Sequence, residues 1–165
     1  MALLQWNQLA AMNRHYVHYS LRDFFSTQQK LGIREICLWA GAPHLLLDDE
    51  SRPDATALLA LAGEYGLSIR VLAPECTLYQ YFINSWNETA REKALGYFTQ
   101  AILLTQELGA RVMLVNCGGG AKDMSEVQAQ QHAVQMLKRL GAVAAQHSVT
   151  LALKAAAQGE SNIAT

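Results

Sequence analysis

Short apolar runs alternate along the chain with longer stretches in which apolar residues recur every three or four positions. The runs cover residues 34–40, 67–75, 110–116 and 149–154, and a weaker one covers residues 3–9. Near-continuous Ile, Leu, Val and Ala at this length predict strands buried on both faces, as in a parallel sheet. The stretches between them predict helices. Ser20 suits an N-cap, with Asp23 in the first turn and Leu21, Phe24 and Phe25 on the apolar face. A second helix starts near Pro53 and Asp54 and turns Ala57, Leu58, Leu61 and Ala62 inward, the proline fitting a first turn. A third covers residues 89–108, with Leu95, Phe98, Ile102 and Leu103 as its stripe. The fourth, capped by Ser125, covers residues 125–147, with Val127, Val134, Leu137, Leu140 and Val143 facing the core. Three of these helices end on a glycine, Gly32, Gly66 or Gly109, directly before a strand, which is a left-handed C-cap feeding the sheet. Residues 7–19 are polar and aromatic without a clear period, and read as the loop after the first strand.

Strand and helix in regular alternation predict an α/β protein, either a β/α barrel or a doubly wound sheet. Both folds place their chemistry at the carboxyl ends of the strands. The units repeat every 33 to 43 residues or so, roughly, whereas eight of them need about 250 residues. The 165 residues therefore hold a partial barrel of about five strands and four helices, or a small open sheet. With no Pro-, Gly- or Ser-rich linker, residues 1–165 read as a single domain.

Composition narrows the function. A net charge of −1 and the absence of a basic stripe interleaved with aromatics argue against nucleic acid. No apolar stretch is long enough to span a bilayer, and the first residues lack the basic-then-apolar pattern of a signal peptide. Cys37, Cys76 and Cys117 are too far apart for a Cys-only zinc site, and read as core thiols of a cytoplasmic protein.

Chemistry is then sought at the predicted strand ends. Trp39 and His44 follow the second strand, on either side of Gly41 and Pro43; His44 could donate to a hydroxylated ligand or simply face water. Glu75 follows the third strand, where a carboxylate could accept from a sugar hydroxyl or move a proton; it could equally cap a helix or pair with Arg91. Tyr79, Tyr81, Phe82 and Trp86 behind it could form a wall for a sugar to stack on, or cover the end of the core. Asn116 follows the fourth strand, and the glycines at 118, 119 and 120 could offer N–H groups to an anion at the start of the next helix; a plain loop is the alternative. Lys154 ends the fifth run. Partial desolvation there would make it a nucleophile for a carbonyl.

These segments, taken in order, resemble the xylose-isomerase-like TIM barrels, the sugar phosphate isomerase/epimerase superfamily, and within it the fructoselysine 3-epimerase type. The resemblance is carried by Ile36 to His44, by Ala73, Pro74 and Glu75 with Tyr79, Tyr81 and Asn84, by Arg91 and Glu92, by the helix end at Glu107 to Ala110, and by Leu151 to Lys154 with Glu160, Ser161 and Asn162. It implies a barrel that isomerises or epimerises a ketose-type sugar derivative. Two glutamates move the proton, and a divalent metal such as Mn, Ni, Co or Mg polarises the oxygens. It also implies metal ligands Glu, Asp, His and Glu on the fifth to eighth strands. Lys154 occupies the first Glu position, and an ammonium repels a divalent cation; the other three positions would fall after Thr165. The expectation is therefore a truncated isomerase/epimerase-like chain, inactive alone, with no catalytic or metal-ligating residue of its own. His44, Glu75, Asn116 and Trp39 would shape a pocket for a sugar or sugar phosphate. Exposed strand edges would drive homodimerisation or pairing with a complementary barrel half. The alternative is a non-catalytic sugar-binding or interaction module that assembles with another chain.

Overall fold

Five parallel strands, paired in chain order, form an open sheet with helices on one side. The computed structural model describes residues 5–47, 52–79, 81–154 and 161. The elements are β1 (Ala10–Met12), α1 (Leu21–Lys30), β2 (Glu35–Ala40), α2 (Ala55–Glu64), β3 (Ser68–Pro74), α3 (Glu88–Glu107), β4 (Val112–Val115), α4 (Glu126–Gln146) and β5 (Thr150–Leu153). This is a partial β/α barrel of five strands and four helices, with β1 and β5 as its two edges.

Four of the predicted strands fall where the apolar runs lie. The first does not. Residues 6–8 form a short 3-10 helix, and the chain joins the sheet only at β1, Ala10 pairing with Glu35 and Met12 with Cys37. Residues 3 and 4 of the weak run lie outside the described residues. The segment read as a loop therefore contains a strand, and then a second 3-10 helix at Asn13–Tyr16.

Side-chain oxygens cap every long helix. Ser20 accepts from the Asp23 N–H, Asp54 from Thr56 and Ala57, Asn87 from Ala90, and Ser125 from Gln128. Pro53 stands before the cap rather than in the first turn. At the other ends Gly32, Gly66 and Gly109 adopt φ of 76°, 63° and 67°, and the next residue's N–H reaches back to Gln28, Ala62 and Thr105. The fourth helix uses the same closure without glycine: Ser148 has φ 55° and the Val149 N–H reaches Ala144.

The core lies between the sheet and its helices. Ile36, Leu38, Leu72, Met113 and Val115 point from the strands to meet Phe24, Phe25, Phe98, Ile102 and Leu140. In α4 Leu137, Leu140 and Val143 pack on the core as predicted, but the rest of the face differs. Ala129, Ala133, Met136, Leu140 and Ala144 are buried, while Val127 and Val134 are 63% and 50% exposed. Small alanines let the helix approach its neighbours closely, so the contact face is marked by size rather than hydrophobicity. In α2 Leu58, Leu61 and Ala62 pack inward as expected, and only Ala57 is exposed. The opposite face of the sheet, the barrel's interior side, carries half-buried Val71, Val112, Leu114 and Ala152.

Candidate functional site at the strand ends

Strand register places three polar residues side by side. Val71 pairs with Val112 and Leu72 with Met113, so Glu75 stands level with Asn116; Val115 pairs with Leu153, so Asn116 stands level with Lys154. The Lys154 N–H continues that ladder by donating to the Val115 carbonyl at 2.8 Å. With the period of two along a strand, all three side chains share the interior face with Ala73 and Leu114. Together with Met12, Arg14, Trp39, Gly118 and Gly119 they line a cavity of about 210 Å³.

Glu75 is 4% exposed, and its oxygens are already engaged. Oε1 accepts from the N–H groups of Thr77 and Leu78, at 2.7 and 3.0 Å, and Oε2 from the Trp39 indole N–H at 3.0 Å. The guanidinium of Arg14 lies 4.0 Å from Oε2. Arg14, not Arg91, is thus its cationic neighbour; Arg91 donates to the Ser85 and Trp86 carbonyls. The Glu75 carbonyl accepts from the buried Tyr97 hydroxyl at 2.6 Å. Burial, with lesser contributions from Cys76 and Glu75, pushes the Tyr97 pKa upward, so the hydroxyl stays a donor.

Trp39 is held from behind by a residue the sequence did not single out. Asn13 is fully buried. Its Oδ1 accepts from the Trp39 N–H at 2.7 Å, and its Nδ2 donates to the Trp39 carbonyl at 3.0 Å. Both contacts are with backbone groups of known polarity, which fixes the orientation of the amide. Nδ2 also lies 2.9 Å from His44 Nδ1, so that nitrogen is the acceptor and Nε2–H donates to the Tyr19 carbonyl at 2.8 Å. Both ring nitrogens of His44 are therefore engaged, and His44 is not among the residues lining the cavity. Gly41 leaves room for the indole: a Cβ there would meet Trp39 ring atoms at 2.1 to 2.6 Å.

Asn116 Oδ1 accepts from the Gly118 N–H at 2.9 Å and from the Cys76 thiol at 3.0 Å, which leaves its Nδ2 toward the cavity without a partner among the described residues. Burial, then the nearby Glu75, pushes the Cys76 thiol up to about 11. The glycine loop lines the cavity, but α4 begins only at Glu126, so no helix N-terminus stands behind it. Lys154 is exposed, contrary to the desolvation expected of it, and makes no ion pair among the described residues. The aromatic wall does not form here either. Tyr81 stacks on Tyr97 at 4.0 Å, the Tyr79 hydroxyl accepts from the Ala42 N–H, and Trp86 stands 65% exposed beside Asp123 and His132. Of the later motif residues, Ser161 donates to the Gly118 carbonyl at 2.7 Å; Glu160 and Asn162 lie outside the described residues.

The arrangement thus brings Trp39, Glu75, Asn116 and Lys154 together, and adds Arg14 and Asn13. Arg14 and Asn13 follow β1 directly; the misplaced first strand hid them. Among the described residues no group of three or more His, Cys, Asp or Glu could hold a metal ion. With one carboxylate already holding three N–H donors and a lysine ammonium in the cavity, these residues do not fit a divalent cation.

Known proteins supply a frame for this geometry. No curated protein sequence matches the chain. Solved structures do match its fold. An E. coli 3-keto-D-glucoside 4-epimerase shares 16% identity over 88% of this chain and 55% of that one, with a TM-score of 0.70. A D-allulose 3-epimerase from Methylomonas sp. shares 20% over 87% and 48%, at 0.69. An L-ribulose 3-epimerase shares 18% over 96% and 50%, also at 0.69. The chain spans about half the length of these structures. Residues 27–164 match the family model described as xylose isomerase-like TIM barrel.

Proposed function

Because that match covers most of its length, the chain belongs to the xylose isomerase-like TIM barrel family, and on this premise we propose that its strand-end cavity binds a ketose-type sugar derivative. The observation that carries the reading is the alignment of Glu75, Asn116 and Lys154 at one register level around a cavity walled by Trp39. Hydroxyl groups of a sugar need both acceptors and donors, and this level offers Glu75 Oε2 and Asn116 Nδ2 within one small volume. A derivative of the fructoselysine kind is the substrate class that the order of motifs favours.

Catalysis is a different matter. The family's isomerisation or epimerisation moves a proton between two carboxylates around a metal. The cavity lining supplies one carboxylate, already holding three N–H donors, and the described residues supply no metal-ligating set. The proposed role of this chain alone is binding, in a cytoplasmic setting that suits its three free thiols. Turnover would require acids and ligands from beyond the described residues or from another chain. Fluorescence titration tests the binding. A ketose or aminated ketose is expected to change Trp39 emission saturably, with the change absent in Trp39→Phe and the affinity about fivefold weaker in Asn116→Ala, as for the loss of one neutral hydrogen bond. No saturable response to any ketose would overturn the reading.

A second reading, assembly, rests on a separate observation. β1 and β5 are open edges, Leu153 on β5 is 58% exposed, and Val127 and Val134 on the neighbouring α4 are exposed too. We propose that another copy or a complementary barrel half covers them. Sedimentation at micromolar concentration checks this: a monomer that stays monomeric when mixed with candidate partners would remove it.

A further inference from the structure

The His44 ring ties two loops together through bonds that hold in only one charge state. Its Nε2–H donates to the Tyr19 carbonyl at 2.8 Å, and its Nδ1 faces Asn13 Nδ2 at 2.9 Å. The Asn13 amide cannot turn over. Its Oδ1 accepts from the Trp39 N–H and its Nδ2 donates to the Trp39 carbonyl, so a flip would set like against like at both. His44 Nδ1 must therefore be a bare acceptor. An imidazolium carries N–H on both nitrogens, and would bring two N–H groups face to face with their nitrogens 2.9 Å apart.

That conflict has two ways out, and both lose the Asn13–His44 bond. In the first, Asn13 turns and gives up Trp39. Asn13 is fully buried and Trp39 is 4% exposed, so both Trp39 backbone groups would be left unsatisfied. In the second, the half-buried ring swings out. That breaks only the bond to the carbonyl of Tyr19, a residue 62% exposed, where water can take over. The second route costs less. Nor does a counter-charge hold the cation in place. The titratable and charged groups on the surrounding segments are Arg14, His15, Tyr16, His18 and Tyr19 before α1, and Glu75 and Tyr79 after β3. Glu75 is engaged by the Trp39 indole with Arg14 nearby, and the Tyr79 hydroxyl accepts from the Ala42 N–H. Tyr16 packs on Tyr19 and Phe24, while His15 and His18 are exposed. Among the described residues no carboxylate pairs with the His44 ring.

We propose that His44 is a pH-sensitive latch: neutral, it pins residues 14–19 to the loop after β2; protonated, it releases them. Histidine changes charge between about pH 5 and 8. The released segment carries Arg14, whose guanidinium lines the strand-end cavity 4.0 Å from Glu75 Oε2. Acidification therefore loosens the arginine of that lining, whatever the cavity binds.

Hydrogen exchange of the full chain tests this, read by mass spectrometry at steps from about pH 7.5 to about pH 5 and corrected for intrinsic rates. Protection of residues 14–20 is expected to fall about tenfold toward the lower pH, the weight of one hydrogen bond, while α3 and α4 keep theirs. In His44→Gln, which cannot gain the charge, protection should not change with pH. His15→Gln and His18→Gln should keep the fall. The unsubstituted chain supplies a second readout. Nitrogen-15 shifts of the His44 ring should show Nδ1 bare and Nε2 protonated at the higher pH, and should titrate at the midpoint of the exchange change. Equal protection across the range overturns the latch, as does a fall that α3 and α4 share. So does a fall that persists in His44→Gln or vanishes in His15→Gln or His18→Gln. A proton on Nδ1 at the higher pH, or a ring midpoint apart from the exchange midpoint, overturns it without any substitution.

Discussion

Replacing Asn13 with alanine removes three hydrogen bonds inside the fold. β1 ends at Met12, and at that point the Asn13 side chain takes over the ladder, receiving the Trp39 N–H and donating to the Trp39 carbonyl. Asn13 is fully buried and Trp39 is 4% exposed. Alanine would leave both Trp39 backbone groups without partners, and a buried unsatisfied group costs about 1–3 kcal/mol. Two such groups give a destabilisation of about 3 kcal/mol. With a urea slope of about 2 kcal/mol/M for a small domain, the unfolding midpoint should fall by about 1.5 M. Urea unfolding followed by tryptophan fluorescence reads the shift. His44→Ala is the internal control. It frees the Tyr19 carbonyl, on a residue 62% exposed, and one N–H of the Asn13 amide, and leaves both Asn13–Trp39 bonds in place, so the expected cost is about 1–2 kcal/mol, below that of Asn13→Ala. The loss in Asn13→Ala should also reach the cavity, because the indole it steadies is a donor to Glu75; ligand affinity should fall although Asn13 does not line the cavity. A loss below about 0.5 kcal/mol, the range of a surface substitution, would refute the reasoning. So would a His44→Ala loss as large as that of Asn13→Ala.

Two further outcomes follow from the same site. In Gly118→Ala the new Cβ would lie 2.5 Å from the Phe82 ring and 2.9 Å from its Cα, at a φ of 85°; the loop must move, and a stability loss of at least about 2 kcal/mol is expected from strain and overpacking combined, visible as a lower melting temperature. Burial pushes the Cys37 and Cys76 thiols up to about 11 from 9.0. A raised thiol pKa means the folded state holds its proton more tightly, so this contribution to stability is complete below pH 9 and is lost as pH rises toward 11. Urea midpoints measured across that window should fall with pH, and the fall should shrink in Cys76→Ala; a flat profile would contradict the burial.

The site was legible in part. Glu75, Asn116 and Lys154 end apolar runs, and a run that ends on a polar residue marks a strand's carboxyl end whatever its neighbours. Trp39 was found the same way. His44 was read as a ligand contact, and the sequence had no means of showing that Asn13 and Tyr19 occupy its two nitrogens. Asn13 and Arg14 were missed because β1 is three residues long. So short a strand has no periodicity of its own, and only pairing with β2 makes it one. On α4 Leu137, Leu140 and Val143 pack as read, but Val127 and Val134 were misassigned, because the first half of the contact face is made by Ala129 and Ala133, which carry little hydrophobic signal.

Local chemistry along the chain decided the strand–helix alternation, the caps at Ser20, Asp54, Asn87 and Ser125, and the stops at Gly32, Gly66 and Gly109. These depend on residues within one turn of each other, so neighbouring letters suffice. Tertiary structure alone decided which polar groups remain available. Glu75 Oε2 and both ring nitrogens of His44 are engaged by residues 25 to 36 positions away, while Asn116 Nδ2 and Lys154 have no hydrogen-bond partner among the described side chains. The reason is that hydrogen-bond satisfaction is a property of everything within about 3 Å, and only the folded register brings that set together.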